Sequence, residues 1–385
     1  MKLLLKYFLF MILVGMLLGL INRIGKQPEP FAQETESYQR LQDGDYKVEF
    51  LQQIFVDASR ATQANNDYAG DTKRELKTNI WLPVGDSDEP HPLIIYSHGF
   101  SSNNDAARVT NAHLASHGYV VMAPNFPLTN TFAPGEPLAV DVANQPGDVS
   151  FVIDQAIELS KAADGPLSGK IDAARIAAIG ISMGGLTSTV AALHPLDNDS
   201  RIRAAISIAG PLSFFSEMFF ENSTLPFMMI GGELDVIVPF DSNAAPALTL
   251  IPNATLVTVQ GGSHLGFADI AEPLRWLKNP DLVGCYFVEK NLADEAPDDP
   301  RWQGLFGPEE LGISYTAPDD LCIHESLPTS INVLRQTALT RLAVRAFLDS
   351  HLLVNPDERR AASNYLYQVF ADEAAEILVE RNRLE

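Results

Sequence analysis

Short, continuous apolar runs alternate with segments of helical spacing through the middle of the chain. Each run is bounded by Gly, Pro, Asn or Asp, as strands are. The predicted strands are Tyr46 to Val56, Leu76 to Leu82, Pro92 to Ser97, Gly118 to Ala123, Ile176 to Ile181, Ile202 to Ile208, Pro226 to Ile230 and Thr255 to Val259. The predicted helices among and after them are Asn111 to His117, Asp148 to Ala162, Met183 to Leu193 and Ser330 to Leu352. This alternation predicts an α/β fold with a mostly parallel sheet, covered by helices on both faces. Such sheets carry their sites beyond the carboxyl ends of the strands.

The N-terminus has the layout of an export signal. Lys2 and Lys6 flank the start of an apolar run, Tyr7 to Ile21, which is shorter than the ~20 residues of a spanning helix. The best cleavage site, Pro30-Phe31-Ala32, is a poor one. We therefore predict that residues 1–26 are a signal peptide or a retained membrane anchor, and that the protein is periplasmic or extracellular. The alternative is a buried N-terminal helix.

Changes in composition suggest how the rest of the chain is organised. Residues 27–45 are polar and are interpreted as a linker, followed by a core over 46–267. Residues 268–328 contain several Pro, many acidic residues, two of the three Trp and both Cys, which indicates an insertion. Residues 329–385 are predicted to add C-terminal helices to the core, the last one over Arg359 to Arg381.

The charge balance narrows the range of partners. The formal net charge is −22, from 27 basic and 49 acidic residues. Nucleic-acid binding is excluded because phosphate contacts need Lys and Arg. No His, Asp and Glu cluster has the spacing of metal ligands, so no metal site is expected.

The two cysteines, Cys285 and Cys322, have two interpretations. They are either two unrelated buried thiols or, in an oxidising compartment, a disulfide. A loop of this size would be stabilised by roughly 3–4 kcal/mol in the chain-entropy model. The export pattern favours the disulfide.

A candidate nucleophile lies in the run Gly180-Ile181-Ser182-Met183-Gly184-Gly185. The run directly follows a predicted strand and opens a predicted helix, which is the context of a nucleophile elbow. The turn is so tight that small residues are needed two positions on either side of the serine. Ser182 would then stand at a helix N-terminus, where the macrodipole favours developing negative charge. The alternative is an ordinary Gly-rich turn.

A serine hydroxyl needs a base and an acid, which the elbow pattern expects in the order Ser, acid, His. Asp235 and His264 each lie in a Gly-rich loop after an apolar strand and in this order. His264 would take the Ser182 proton, and Asp235 would hold the imidazole tautomer. Glu233 and Asp241 are alternative acids.

The oxyanion of ester attack needs preorganised N–H donors. The sequence predicts the backbone N–H of Met183 as one donor and that of Phe100, after His98-Gly99, as the other. Gly99 lets the backbone approach closely. The alternative for His98-Gly99 is a plain strand-ending turn.

Aromatic side chains near these loops are candidates for a substrate pocket. The Phe100 ring could form the floor of an acyl pocket, and Phe214 and Phe215, in the apolar stretch Pro211 to Phe220, could line it. These residues could equally belong to the core.

These motifs together resemble a known group of enzymes. The motifs are SHGF at 97–100, HGYVVMAPNFP at 117–127, GDVSFVID at 147–154, GISMGG at 180–185, GGELDVIVP at 231–239 and GGSHLGFAD at 261–269. The chain resembles the exported serine hydrolases related to dienelactone hydrolase, and it is similar to platelet-activating-factor acetylhydrolases and cutinase-type polyester hydrolases. The resemblance implies the α/β-hydrolase fold, a Ser182–Asp235–His264 triad, carboxylic ester substrates and no cofactor. It departs from true dienelactone hydrolases, which use a cysteine nucleophile, because this elbow carries Ser182.

The leading hypothesis is therefore an ester hydrolase that acts on lipid, short-chain or polyester substrates outside the cytosol. One alternative is an exported peptidase or acyltransferase on the same fold, since a fold does not determine function. The other is a catalytically inactive, membrane-anchored binding protein. A peptidase of this kind would need a feature that recognises a chain end, and the sequence shows none.

Overall fold

A computed structural model of the chain describes residues 27–85, 89–292, 300–315, 321–322 and 326–382, together with Gly15. The predicted signal or anchor over residues 1–26 therefore lies, apart from Gly15, outside the described residues. None of the described helices is long and apolar enough to cross a membrane.

Within the described residues, nine strands form a single sheet in the order β1-β2-β4-β3-β5-β6-β7-β8-β9. The strands are β1 Lys47–Asp57, β2 Arg74–Val84, β3 His91–Ser97, β4 Val120–Asn125, β5 Ile171–Ile181, β6 Ile202–Ile208, β7 Phe227–Gly232, β8 Ala254–Val259 and β9 Ile377–Arg381. The α-helices are α1 Glu36–Arg40, α2 Arg108–Ser116, α3 Gln145–Lys161, α4 Met183–Leu193, α5 Glu217–Phe220, α6 Phe240–Asn243, α7 Ala247–Leu250, α8 Asp281–Leu292, α9 Val333–Leu352, α10 Pro356–Asn364 and α11 Phe370–Glu373.

The strands from β3 to β8 pair in parallel, whereas β2 is antiparallel to both β1 and β4, and β9 is antiparallel to β8. The prediction of a mostly parallel sheet with helices on both faces is confirmed, and the chain has the α/β-hydrolase fold.

The continuous apolar runs arise because the sheet is buried on both faces. Successive side chains of a strand point to opposite faces. Thus Leu93 and Ile95 of β3 belong to one hydrophobic core, whereas Ile94 and Tyr96 belong to the other. The first core contains apolar side chains of α3 and α4, and the second contains those of α2 and α9. The result is a sheet between two helical layers.

The predicted helix over Arg359 to Arg381 is wrong in its last third. The helical segment begins at Pro356 and ends at Glu373, and Ile377–Arg381 forms β9. The β-branched side chains Ile377 and Val379 lie opposite β8, with Val379 paired with Val257. This segment is thus extended because it pairs with the outer edge of β8.

Residues 27–45, which the sequence predicts to be a linker, contain the short helix α1. Its residue Ser37 is buried and its hydroxyl hydrogen-bonds the Tyr365 hydroxyl at 2.7 Å. The Glu373 carboxylate accepts the backbone N–H groups of Glu36 and Ser37. This contact ties α1 to the C-terminal helices.

The predicted disulfide is confirmed. Cys285, in α8, is bonded to Cys322, with 5.6 Å between their Cα atoms. Both cysteines are buried in a small apolar cluster with Ile237. A cysteine-containing insertion before α9 is therefore part of the fold.

Candidate active site

Ser182 stands between the end of β5 and the start of α4. Its backbone has φ 55° and ψ −125°, a region that non-glycine residues occupy at a cost of ~1–3 kcal/mol and that clusters at functional sites. The Ser182 N–H donates to the Ile208 carbonyl at 2.7 Å, which ties the turn to β6. Ser182 is partly exposed at the carboxyl end of β5.

The glycines around Ser182 are required by close backbone contacts. A Cβ atom on Gly180 would lie 1.9 Å from the Gly184 carbonyl oxygen, and one on Gly184 would lie 2.1 Å from the Ser97 carbonyl oxygen. A side chain on Gly180 would push α4 away from the end of β5, and a side chain on Gly184 would push α4 away from the end of β3. The spacing seen in the sequence is thus the steric condition for this turn.

Asp235 and His264 form a buried pair, with side-chain exposures of 1% and 6%. The His264 Nδ1 lies 2.7 Å from the Asp235 Oδ2. The Asp235 Oδ1 accepts the N–H groups of Ile237 and Val238, at 2.9 and 2.7 Å. Because these donors occupy one oxygen and orient the carboxylate, the other oxygen is directed to the imidazole.

The surroundings of His264 change its acidity. Burial, the largest influence, lowers the pKa of His264, but the charge of Asp235, the hydrogen bond to Asp235 and the charge of Asp281 outweigh it. The pKa of His264 is therefore raised above its ordinary value of 6.5. The imidazole is therefore a stronger base than that of an ordinary histidine.

Side chains from two helices hold the loop that carries His264. Gln336 of α9 accepts the Ser263 N–H at 3.1 Å and donates to the Ser263 carbonyl at 2.6 Å. Asp281 of α8 accepts the N–H groups of His264 and Leu265, at 2.9 and 2.8 Å. The loop is thus fixed through its backbone on both sides of the imidazole.

The predicted oxyanion donors lie on the elbow and on the loop after β3. Met183 is the first residue of α4, and the first N–H groups of a helix have no carbonyl one turn earlier to bind. The carbonyl of Gly99 accepts from the His98 Nδ1 at 2.8 Å and from the Ser102 N–H at 3.2 Å. In a trans peptide the N–H points away from the carbonyl. These two contacts therefore set the direction of the Phe100 N–H.

His98 is a structural histidine. Its Nε2 accepts the Phe126 N–H at 3.1 Å, so the ring proton is on Nδ1 and donates to the Gly99 carbonyl. Burial lowers the pKa of His98 to about 4. The ring is accordingly neutral near pH 7, with both nitrogens occupied.

The topology gathers the predicted residues at one edge of the sheet. Ser182, Asp235 and His264 follow β5, β7 and β8, and Phe100 follows β3, at the carboxyl ends of parallel strands. Asp235 and His264 are in contact. Within the part of the chain that the structure describes, the Ser182 hydroxyl makes no hydrogen bond to the His264 ring. Catalytic hydrogen bonds are often loose before substrate binds.

The predicted pocket aromatics have different surroundings. Phe215 is buried in the core, with its ring stacked 4.2 Å from that of Phe219. Phe214 is partly exposed and lies parallel to Trp302 of the insertion, with 6.4 Å between the ring centroids. Phe100 is also partly exposed. Of the three predicted pocket aromatics, Phe100 and Phe214 are thus the two with exposed surface.

The residues that the structure describes hold no group of three or more His, Cys, Asp or Glu side chains arranged to bind a metal ion.

Sequence reasoning did not find Asp281 or Gln336. Asn279-Pro280-Asp281 is recognisable as a helix start, but nothing in it indicates that the carboxylate faces another loop. Gln336 lies in a helix whose spacing predicts only packing. Both residues act on the His264 loop through its backbone, which leaves no pattern of its own in the sequence.

Comparison with known proteins places this geometry in context. A family model described as "PETase: PET hydrolase-like" matches residues 76–276, just over half of the chain. The cutinase Est1 of Thermobifida alba is 28% identical over 164 residues, which are 42% of this chain and 48% of that protein. The chain therefore spans about half the length of this relative. A ferulic acid esterase from Streptomyces cinnamoneus has a similar fold, with a TM-score of 0.51, 19% identity, and coverage of 88% of this chain and 97% of that one.

Proposed function

Because this chain belongs to the PET hydrolase-like family, we propose that it hydrolyses carboxylic esters through an acyl-enzyme intermediate on Ser182. The observation that carries the proposal is the buried Asp235–His264 pair, which lies at the same sheet edge as the strained Ser182. The family and both relatives carry ester-hydrolase descriptions. This favours ester hydrolysis over the peptidase and acyltransferase alternatives.

The proposed reaction has two steps. His264 Nε2 takes the Ser182 proton as Oγ attacks the ester carbonyl, and the imidazolium returns that proton to the leaving alcohol. Water then attacks the acyl-enzyme with His264 again as base, which releases the acid and restores Ser182. Asp235 keeps the ring proton on Nδ1 and stabilises the imidazolium. The N–H groups of Met183 and Phe100 bind the oxyanion of each tetrahedral intermediate.

The substrate is proposed to be an ester with an apolar or aromatic part, small or polymeric. The description of the family refers to hydrolysis of PET, a polyester of an aromatic acid. The two relatives are a cutinase and a ferulic acid esterase. Phe100 and Phe214 are partly exposed, and Trp302 extends the aromatic surface beside Phe214. Aromatic rings favour such substrates by stacking and by burial of apolar area.

Export remains part of the proposal. A disulfide persists in oxidising compartments outside the cytosol, and Cys285–Cys322 is such a bond. Removal of residues 1–26 as a signal peptide, or their retention as a membrane anchor, stays a prediction. Apart from Gly15, these residues lie outside the described part of the chain.

We expect the purified protein to hydrolyse p-nitrophenyl esters and to be labelled at Ser182 by a serine-directed fluorophosphonate. Profiles over acyl chains of increasing length, with a soluble aromatic diester and a polyester film included, would define the substrate class. Peptide mapping by mass spectrometry locates the label. A label on another residue, or no hydrolysis of any ester, would contradict the proposed function.

The acidity of His264 predicts the pH dependence of kcat/KM. The base must be neutral in the free enzyme, and the pKa of His264 is raised above 6.5. Activity should therefore fall as the pH falls through a midpoint above 6.5. Initial rates at low substrate concentration from pH 5 to pH 9 measure this midpoint. A midpoint well below 6.5 would contradict the assignment of His264 in this environment.

A further inference from the structure

We propose that the N-terminal half of α8 is a brace between the loops that carry His264 and Asp235, and that Asp281 is a positioning residue for His264. The inference rests on the proposed function, since it assigns a role in that same site. It assigns a role to the first part of the insertion over residues 268–328, which sequence analysis identifies only by its composition.

Asp281 connects α8 to the His264 loop. The carboxylate is completely buried and uses one oxygen for the His264 N–H and the other for the Leu265 N–H. Its own N–H donates to the Asn279 side chain at 2.9 Å. Because both oxygens and the backbone are held, the carboxylate fixes the position of the peptide units on either side of the His264 Cα atom.

Gly284 connects α8 to both loops at once. A Cβ atom on Gly284 would lie 2.5 Å from the Ile237 Cδ1 and 3.0 Å from the Leu265 Cγ. Ile237 follows Asp235 and donates its N–H to that carboxylate. The helix surface is thus wedged between the acid loop and the histidine loop, with no space for a side chain.

The disulfide is the third connection. Cys285 follows Gly284 and is bonded to Cys322, and the Cys322 N–H donates to the Val236 carbonyl at 2.8 Å. Val236 is the residue directly after Asp235. The bond therefore anchors α8 to the acid loop, while Asp281 anchors it to the histidine loop.

The two anchors act on the geometry that the reaction needs. The imidazole must stay within hydrogen-bond reach of Asp235 and also face Ser182, and an error of ~1 Å in such a position costs about 100-fold in rate. The charge of Asp281 also helps to raise the pKa of His264. Asp281 is in turn affected by the charges of Asp235 and His264. Burial and the charge of Asp235 raise the pKa of Asp281 to about 6. Asp281 is consequently ionised where the enzyme is expected to be active.

The first test is Asp281→Asn. An amide has one acceptor oxygen, so it can serve only one of the two N–H groups and presents its NH2 to the other. We expect kcat to fall ~10- to 100-fold with KM within about threefold of wild type, and the acidic midpoint of kcat/KM to move to lower pH. The Leu265 amide should exchange its hydrogen faster. A purely structural role would lower the melting temperature and leave kcat and the midpoint unchanged, which would overturn the inference.

The matched control is Asp269→Asn. Asp269 is a half-buried carboxylate in this segment, with a pKa raised mainly by burial, and it accepts the Thr110 N–H at 2.9 Å. It binds α2 and not the histidine loop. We expect this variant to lose stability but to keep kcat and the pH midpoint.

A second variant covers the case in which Asp281→Asn fails to fold. The double variant Cys285→Ser, Cys322→Ser keeps Asp281 and removes the covalent connection between α8 and Cys322. We expect faster exchange at Leu265 and a decrease in kcat of ~2- to 10-fold. Unchanged exchange and unchanged kcat would overturn the brace. If the wild-type protein hydrolyses no ester, the proposed function fails, while the exchange measurements still test the brace.

Discussion

Replacement of Ser182 by Ala is expected to lower the turnover of a p-nitrophenyl ester by ~10³-fold or more, while the fold is kept. The Ser182 hydroxyl is the proposed attacking group, and without it no acyl-enzyme can form. The substitution removes one oxygen atom and leaves the backbone contact to Ile208 intact. Circular dichroism and thermal unfolding should therefore match the wild type. The activity that remains would come from the oxyanion donors and from substrate binding alone.

Ser188→Ala is the matched control for this experiment. Ser188 lies in the same helix, α4, and its buried hydroxyl donates to the Gly184 carbonyl at 3.0 Å. It is not part of the proposed site, so turnover should stay close to the wild-type value. Near-normal turnover in the Ser182→Ala protein would remove Ser182 from the mechanism. Loss of activity in both variants would point instead to a disturbed helix.

The parts of the fold that the sequence predicts are those with a short-range cause. A strand that is buried on both faces has few polar positions, which makes β7 visible as a continuous apolar run and β6 and β8 visible as mostly apolar ones. The elbow at Ser182 is visible for a similar reason, since a side chain on Gly180 would collide with Gly184 in the same turn. The Asp235–His264 contact follows from the parallel arrangement, because the loops after β7 and β8 are neighbours in the sheet.

The parts that the sequence does not predict depend on partners far along the chain. Ile377–Arg381 is a strand because the edge of β8 offers it hydrogen bonds, and no local pattern distinguishes this edge from solvent. Phe214 and Phe215 are adjacent and identical in chemistry. Only their contacts separate them, because Phe215 packs in the core whereas Phe214 lies beside Trp302.

Replacement of Asp235, the proposed acid of the site, by Asn is expected to lower turnover by ~10³- to 10⁴-fold. The Asp235 carboxylate uses one oxygen for the N–H groups of Ile237 and Val238 and the other for His264 Nδ1. Asparagine retains one acceptor. If its oxygen stays on the two backbone donors, its NH2 faces Nδ1, and the ring must move its proton to Nε2. A ring with that proton on Nε2 cannot take the proton of Ser182.

The opposite orientation of the amide would preserve the tautomer but place the NH2 against two buried N–H groups. A buried donor without an acceptor costs ~1–3 kcal/mol, so the first orientation is favoured and the loss of activity follows from the wrong tautomer. Removing the charge of Asp235 also removes a cause that raises the pKa of His264, and the residual activity should extend to lower pH.

Glu233→Gln and Asp241→Asn are the matched controls, since both acids lie near Asp235 in the sequence and both are exposed. Glu233 accepts the Gly261 N–H at the surface, and Asp241 lies in the first turn of α6. Neither carboxylate is hydrogen-bonded to the imidazole of His264 in the described structure, so each variant should keep turnover within about threefold of wild type. A large loss in one of them, with Asp235→Asn active, would transfer the acid role to that residue. Comparison of turnover in the three variants thus identifies which carboxylate is the acid. The sequence pattern alone allows all three.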